Sequence, residues 1–324
     1  MAVADATDAL AAMPKPAGPH PGEPRLARRA VVSGVARNCA RHLPRVLENL
    51  ALLGGLYAEV CFVFAVSDTT DGTHRLLSNW LAAGREGRVL DLGDLEAEIP
   101  IRSARIARAR NACLEEIRRS RWAAYDHLIV ADLDDVLEGD LDLAACAQAA
   151  RWLDASAGRA GVFANAAPRY YDVWALRHDT WCPGDCWHPI WHRPHGHSFE
   201  AAKIREVFSR QIAIPPGLPP IAVRSAFGGL GLYRMTFALG ASYRGVDGQG
   251  RSVSEHVALN LAIGAAGGQL HIFPSLIVQA PPEHLYDARA FGLRWRLAML
   301  RRRLVEARTP PWRAWSAGPG VRPS

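Results

Sequence analysis

The apolar run Leu128-Ile129-Val130-Ala131 passes directly into Asp132-Leu133-Asp134-Asp135. Short runs of this kind, partly β-branched, fill strands buried on both faces. Ionised carboxylates are too costly to bury there, so the three acids belong at the strand's exit, facing something positive. Asp132 and Asp134 are two apart and share a side, while Asp135 points elsewhere. In an open α/β sheet the ligand sits beyond the carboxyl ends of the strands. Mg2+ and Mn2+ take one or two carboxylates and complete their shells with water and substrate phosphates. The stretch predicts a metal–diphosphate site; a solvated acidic turn is the plain alternative.

The chain before it alternates strand and helix. Ala30–Val35 reads as a strand, residues 40–53 as a helix with Leu43, Val46, Leu47, Leu50 and Leu53 on one face, and Glu59–Val66 as a second strand. Ser67-Asp68-Thr69-Thr70-Asp71-Gly72-Thr73 supplies a turn and a cap for a helix over residues 74–83. A short strand at Val89–Leu92 and a long basic helix over Arg102–Arg119 follow. Such alternation predicts a mostly parallel sheet covered by helices, a nucleotide-binding half of doubly wound type. The second half is less regular, with strands expected near residues 161–165, 221–223 and 269–278 and a helix over 254–265.

The 324 residues carry a net charge of +6, compatible with anionic substrates or acidic lipid. The positive charge is not gathered with aromatics into a nucleic-acid module, so no nucleic-acid partner is expected. Cys61 falls in a predicted buried strand, and Cys113 and Cys146 in predicted helices, which reads as reduced thiols in a cytoplasmic protein. Cys182 and Cys186, with His188, His192, His195 and His197 nearby, are open to a zinc reading or to a Trp-rich loop. Residues 1–24 read as a disordered tail, 25–290 as one catalytic domain, and 291–324 as a basic amphipathic helix and tail. That helix suits either an anionic membrane surface, at its inner face, or packing on the domain.

In order and spacing, Val32-Ser33-Gly34-Val35-Ala36-Arg37-Asn38, Ser67–Thr73, Arg102…Arg105…Arg110-Asn111, Asp132–Asp135, Gly228-Gly229…Tyr233-Arg234 and Ser254-Glu255-His256 resemble a GT-A glycosyltransferase. More narrowly they resemble the fungal capsule-associated α-1,3-mannosyltransferase family and its bacterial relatives, over roughly residues 30–285. The resemblance implies an α/β fold of GT-A type, with a Rossmann-like, mostly parallel central sheet and an acceptor-side insertion. It implies transfer of a hexose, mannose from GDP-mannose or another from a UDP-hexose, to a glycan or glycolipid hydroxyl. Asp132, Asp134 and His284 are then metal ligands for Mn2+ or Mg2+. Arg37, Asp68, Arg110, Asp132, Gly228 and Gly229 meet the nucleotide sugar, and Asp172 and Arg177 the acceptor or sugar. The catalytic residues it implies are Glu255 and His256, which face the acceptor and of which either could serve as base, and Asp135, which contacts metal or donor sugar. Inverting members use an Asp as base where this chain has His256; the α-mannosyltransferases imply retention.

A nucleotidyltransferase also uses a metal at a carboxylate pair, but Gly34-Val35-Ala36-Arg37 is a poor version of its phosphate loop. A binding protein without turnover is the alternative outside enzymes.

Overall fold

The computed structural model describes residues 25–315, so the tail expected over residues 1–24 lies outside the described residues, as do residues 316–324. Eight strands form one sheet in the order β3-β2-β1-β4-β7-β5-β8-β6. The first four are β1 (Leu26–Ala36), β2 (Tyr57–Val66), β3 (Gly87–Asp91) and β4 (His127–Asp132), each parallel to its neighbour. Parallel neighbours need a crossover, and α1 (Leu43–Gly55), α2 (Thr73–Ala82) and α3 (Arg102–Arg119) provide it.

The helix predicted over residues 40–53 starts at Leu43, with Pro44 in its first turn, where a missing N–H goes unnoticed. Its five predicted core residues, Leu43, Val46, Leu47, Leu50 and Leu53, are all fully buried. Strand residues divide between two apolar layers in strict alternation. Cys61, Val63 and Ala65 of β2 join Cys113, Leu114 and Ile117 of α3 on one face. Phe62, Phe64 and Val66 join α1, α2 and α4 (Leu143–Asp154) on the other.

The second half departs from a purely parallel plan. β7 (Leu230–Arg234) runs antiparallel between β4 and β5 (Arg159–Ala167). β8 (Gln269–Gln279) is parallel to β5, and β6 (Ile221–Val223) is an antiparallel edge. No strand is expected at β7 from the sequence, where Gly228, Gly229 and Gly231 interrupt the apolar run. Gly231 is instead a packing glycine: a Cβ there would stand 3.0 Å from the Phe163 ring. Residues 168–220 form an insertion carrying a short helix, His188–Trp191, and α5 (Phe199–Glu206).

The chain lays strands outward from β1 to β3, then returns to put β4 on the other side of β1. This reversal opens a crevice at the carboxyl ends of β1 and β4, where Val35 pairs with Asp132. α6 (Glu255–Ala265) closes one side, and α7 (Leu293–Arg308) packs outside the sheet, starting two residues later than its periodicity suggests. No helix among the described residues is long and apolar enough to cross a membrane.

Candidate active site

A cavity of about 650 Å³ fills the crevice. The end of β1 brings Arg37 and Asn38, the end of β2 Asp68, α3 brings Arg102, Arg105 and Arg110, and the exit of β4 Asp132, Asp134 and Asp135. From later in the chain come Tyr171, Asp172, Trp174, Phe227, Glu255, His256, Glu283 and His284. Of the residues given a binding, metal or catalytic role from the sequence, Arg177, Gly228 and Gly229 do not line it.

One buried cation ties the centre together. Arg110 Nη2 donates to Asp132 Oδ1 at 2.9 Å and Arg110 Nε donates to Glu255 Oε1 at 3.0 Å. Its guanidinium also lies against the rings of Phe227 and Tyr243, 5.2 and 5.9 Å from their centroids. Nη1 is buried with no hydrogen-bond partner. Glu255 and Asp132 outweigh the burial of Arg110 and hold it charged. A single guanidinium thus answers two carboxylates, with Asp134 beside them. Burial and then the charge of Asp134 push Asp132 well above the usual carboxylate range, against the pull of Arg110. Asp135 is raised too, by burial, Asp134 and Glu283.

This excess of negative oxygen donors fits a hard divalent cation. Among the described residues no three His, Cys, Asp or Glu side chains are gathered closely enough to cage a metal. A cation held by Asp132 and Asp134 would have to draw much of its shell from water and ligand oxygens. His284 shares the cavity, its ring stacked on Tyr171 with centroids 5.7 Å apart and planes 10° from parallel.

On the β2 side, Asp68 has φ +53°, a conformation that Asp tolerates better than most residues. Its Oδ1 accepts from the Glu96 backbone amide at 2.7 Å, and its Oδ2 is buried without a partner. Burial alone would raise this carboxyl, but the hydrogen bonds it accepts bring it below its ordinary value. Arg37 pairs with Glu96 across the rim, and Arg105 donates to the same carboxylate at 2.9 Å. The expected basic face of α3 is therefore divided, since Arg105 is buried while Arg102 stays exposed at the cavity. Asp71 lies away from the lining and braces the turn before α2, whose N-cap position is Gly72 rather than a capping side chain, accepting from Thr73 N at 2.9 Å and Ala40 N at 3.1 Å.

The double glycine works from behind the site. Gly229 O accepts from the backbone amide of Asp132 at 2.9 Å, fixing where β4 releases its carboxylates. Gly229 has φ +89°, and a Cβ there would stand 2.3 Å from Val136 Cγ1, so no other residue fits. Gly228 N donates to Asp172 Oδ2 at 3.0 Å, while Asp172 Oδ1 accepts from Ala175 N at 3.2 Å. Asp172 thus joins the insertion to the glycine turn at the cavity wall. Arg177, expected from resemblance at the sugar, is turned away. It donates to Trp174 O, Leu176 O and, at 3.0 Å, to Asp185 Oδ2.

His256 lies flat on Phe227, with centroids 3.7 Å apart and an interplanar angle of 17°. It is buried with no hydrogen-bond partner at either ring nitrogen, and its Nε2 is 3.5 Å from Glu255 Oε1. Burial, reinforced by Arg110, pushes it well below the usual imidazole range, so the ring is neutral. Tyr171, Trp174 and Phe227 were not singled out from the sequence; only their adjacency to Asp172 and to Gly228 hints at them. Cys182 and Cys186 are buried free thiols, with Cys182 Sγ accepting from Arg210 at 3.2 Å.

No protein-family model matches this chain, and no curated protein does. Among solved structures, it is similar to a mannosyltransferase from Pyrobaculum calidifontis in complex with GDP-Man and Mn2+, at 14% identity and TM-score 0.45, covering 99% of this chain and 85% of that one. It is similar to residues 1–349 of S. aureus TarS at 11% identity and TM-score 0.45, covering 88% of this chain and 74% of that one. A third is glucosyl-3-phosphoglycerate synthase from M. tuberculosis, at 13% identity and TM-score 0.37, covering 93% and 84%. At these identities and TM-scores, the roles of this chain's residues rest on its own geometry.

Proposed function

We propose that residues 25–290 form a metal-dependent glycosyltransferase domain of GT-A type that moves a hexose from a nucleotide sugar to a glycan or glycolipid hydroxyl. One observation carries this reading: the Asp132–Asp134 pair at the sheet's switch point shares a cavity with Asp68 on the β2 side and Glu255 and His256 on the other. Its volume of about 650 Å³ falls within the range of small-molecule sites.

Asp132 and Asp134 would hold Mn2+ or Mg2+, which when bound supplies Lewis-acid neutralisation of the diphosphate. The partnerless Oδ2 of Asp68 is suited to accept from a ribose hydroxyl or base amine. Arg110 Nη1, also partnerless, is suited to donate to a diphosphate oxygen, with Arg37 and Arg102 at the same wall. In the transfer, the acceptor oxygen bonds to the anomeric carbon as that carbon's bond to the diphosphate oxygen breaks. The bonding electrons leave on the nucleoside diphosphate.

The resemblance implies retention, and the state of Glu255 and His256 is in keeping with it. Glu255 is engaged by Arg110, and His256 is a weakened base stacked on Phe227. With neither free as a strong base, the proton passes to the departing diphosphate, on the face where the acceptor attacks. The donor implied by resemblance is GDP-mannose, with a UDP-hexose as the other candidate.

Thermal melting with Mn2+ and a panel of nucleoside diphosphates tests the reading, because ligands that bind the native state raise Tm. A metal-dependent shift with GDP supports the mannosyl donor, and one with UDP keeps the transferase and changes the sugar nucleotide. No shift with any of them, in folded protein, overturns it. Hydrolysis of the nucleotide sugar without an acceptor separates a transferase from a binding protein.

A further inference from the structure

Five of the nine large hydrophobic side chains that stand exposed among the described residues lie on one helix, α7. The domain holds this helix along a narrow line. Met299 is buried, Trp295 packs on the core, and Glu306 accepts from Arg169 Nη1 at 2.8 Å and from the Ala213 amide at 3.2 Å. Away from that line, Leu293, Leu297, Leu300 and Leu304 follow one another at spacings of four, three and four and are 71%, 49%, 55% and 51% exposed. Such spacing aligns them as a single stripe. The positions flanking the stripe on both sides are all arginine: Arg294, Arg301 and Arg308 on one, Arg296 and Arg303 on the other. The helix's one acid, Glu306, is turned inward onto Arg169.

We propose that this face of α7 docks on an anionic lipid surface, its leucines entering the boundary between headgroups and acyl chains and its arginines meeting the lipid phosphates. An apolar stripe edged by cations is the pattern of a helix that lies in a bilayer interface. Two other occupants fit less well. A second copy of the helix would set arginine against arginine on both flanks of the stripe, which disfavours pairing. An acidic helical partner would have only about two heptads to grip, short of the roughly three to four that sustain a coiled coil. A lipid surface requires neither a complementary sequence nor length.

The helix also touches the segment that follows the cavity residue His284. Arg303 lies over the Tyr286 ring at 5.6 Å, and Tyr286 is two residues beyond His284.

The test is co-sedimentation of the full chain with mixed phosphatidylglycerol–phosphatidylcholine vesicles, against pure phosphatidylcholine. Partition should be at least about tenfold greater on the anionic vesicles and fall as salt rises. The double substitution Leu297→Ser with Leu300→Ser should cut it about tenfold or more, as should Arg301→Gln with Arg308→Gln. All four side chains are exposed, and unchanged thermal melting of both variants confirms an intact fold. Failure of the unaltered chain to partition overturns the proposal. So does binding that survives the leucine changes, which would mean charge attraction without insertion. A dimer in analytical ultracentrifugation that the leucine changes dissolve would assign the face to a second copy instead. None of these outcomes depends on turnover, so docking and transferase activity fail separately.

Discussion

Arg110 donates to Asp132 at 2.9 Å from within the protein, and the same guanidinium reaches Glu255 at 3.0 Å. The acid at the mouth of β4 and the acid at the start of α6 therefore share one fixed cation. Removing it leaves two carboxylates at a buried site with no counter-charge. The substitution Arg110→Ala should destabilise the fold by about 3–5 kcal/mol. Urea denaturation measures this, and a loss under about 1 kcal/mol would show that water already screens the pair.

In the proposed function Asp132 and Asp134 hold the metal on the diphosphate. The double substitution Asp132→Asn with Asp134→Asn should abolish the Mn2+-dependent rise in Tm with nucleoside diphosphate. It should also lower donor turnover by about a hundredfold or more, since a Lewis acid at the leaving group is worth several kcal/mol. Full turnover in that variant would remove the metal from the proposed function.

Gly229 makes a steric and a conformational prediction at once. A methyl group there meets Val136 at 2.3 Å and forces an L-residue to hold φ +89°. Gly229→Ala should cost about 1–3 kcal/mol and displace the Asp132 amide from its carbonyl partner. Adding Val136→Ala should recover the steric part only, because the backbone strain remains. Complete recovery in the double variant would show that φ carries no penalty here.

His271 offers a pH signature away from the cavity. It sits on β8 against Trp152, with ring centroids 4.8 Å apart. Burial, then Arg159, lowers it to about 4. The unfolded chain binds this proton below about pH 6.5, whereas the folded chain refuses it until about 4. Its effect on stability is therefore nil above about pH 6.5 and grows adverse as pH falls towards 4. His271→Gln should flatten the decline of Tm with pH across that window relative to the unaltered chain. An unchanged slope would mean that His271 titrates normally.

What could be read in advance follows the range of the forces involved. The leucines of α1 announce their helix because periodicity is local, and β4 with its acids is legible for the same reason. β7 is not, since an antiparallel strand between β4 and β5 depends on partners about seventy to a hundred residues upstream. Resemblance implies Arg177 at the sugar, whereas its guanidinium donates to three oxygen acceptors within the insertion, contacts that no local pattern announces. Phe227 and Tyr171 acquire meaning only through stacking on His256 and His284, which no spacing in the chain encodes.

The bond from the Asp132 amide to Gly229 O has a bearing on the order of assembly. During synthesis, β1 to β3 and one edge of β4 can pair as soon as they emerge, because those pairings lie within the first half, whereas the other edge of β4 waits for β7. The strand that braces the acidic exit, and the arm of Glu255 that shares Arg110, are made much later. The nascent N-terminal half thus carries the crevice between β1 and β4 with an unsupported cluster of negative charge. A chain truncated before residue 229 should be a folding intermediate rather than a smaller enzyme.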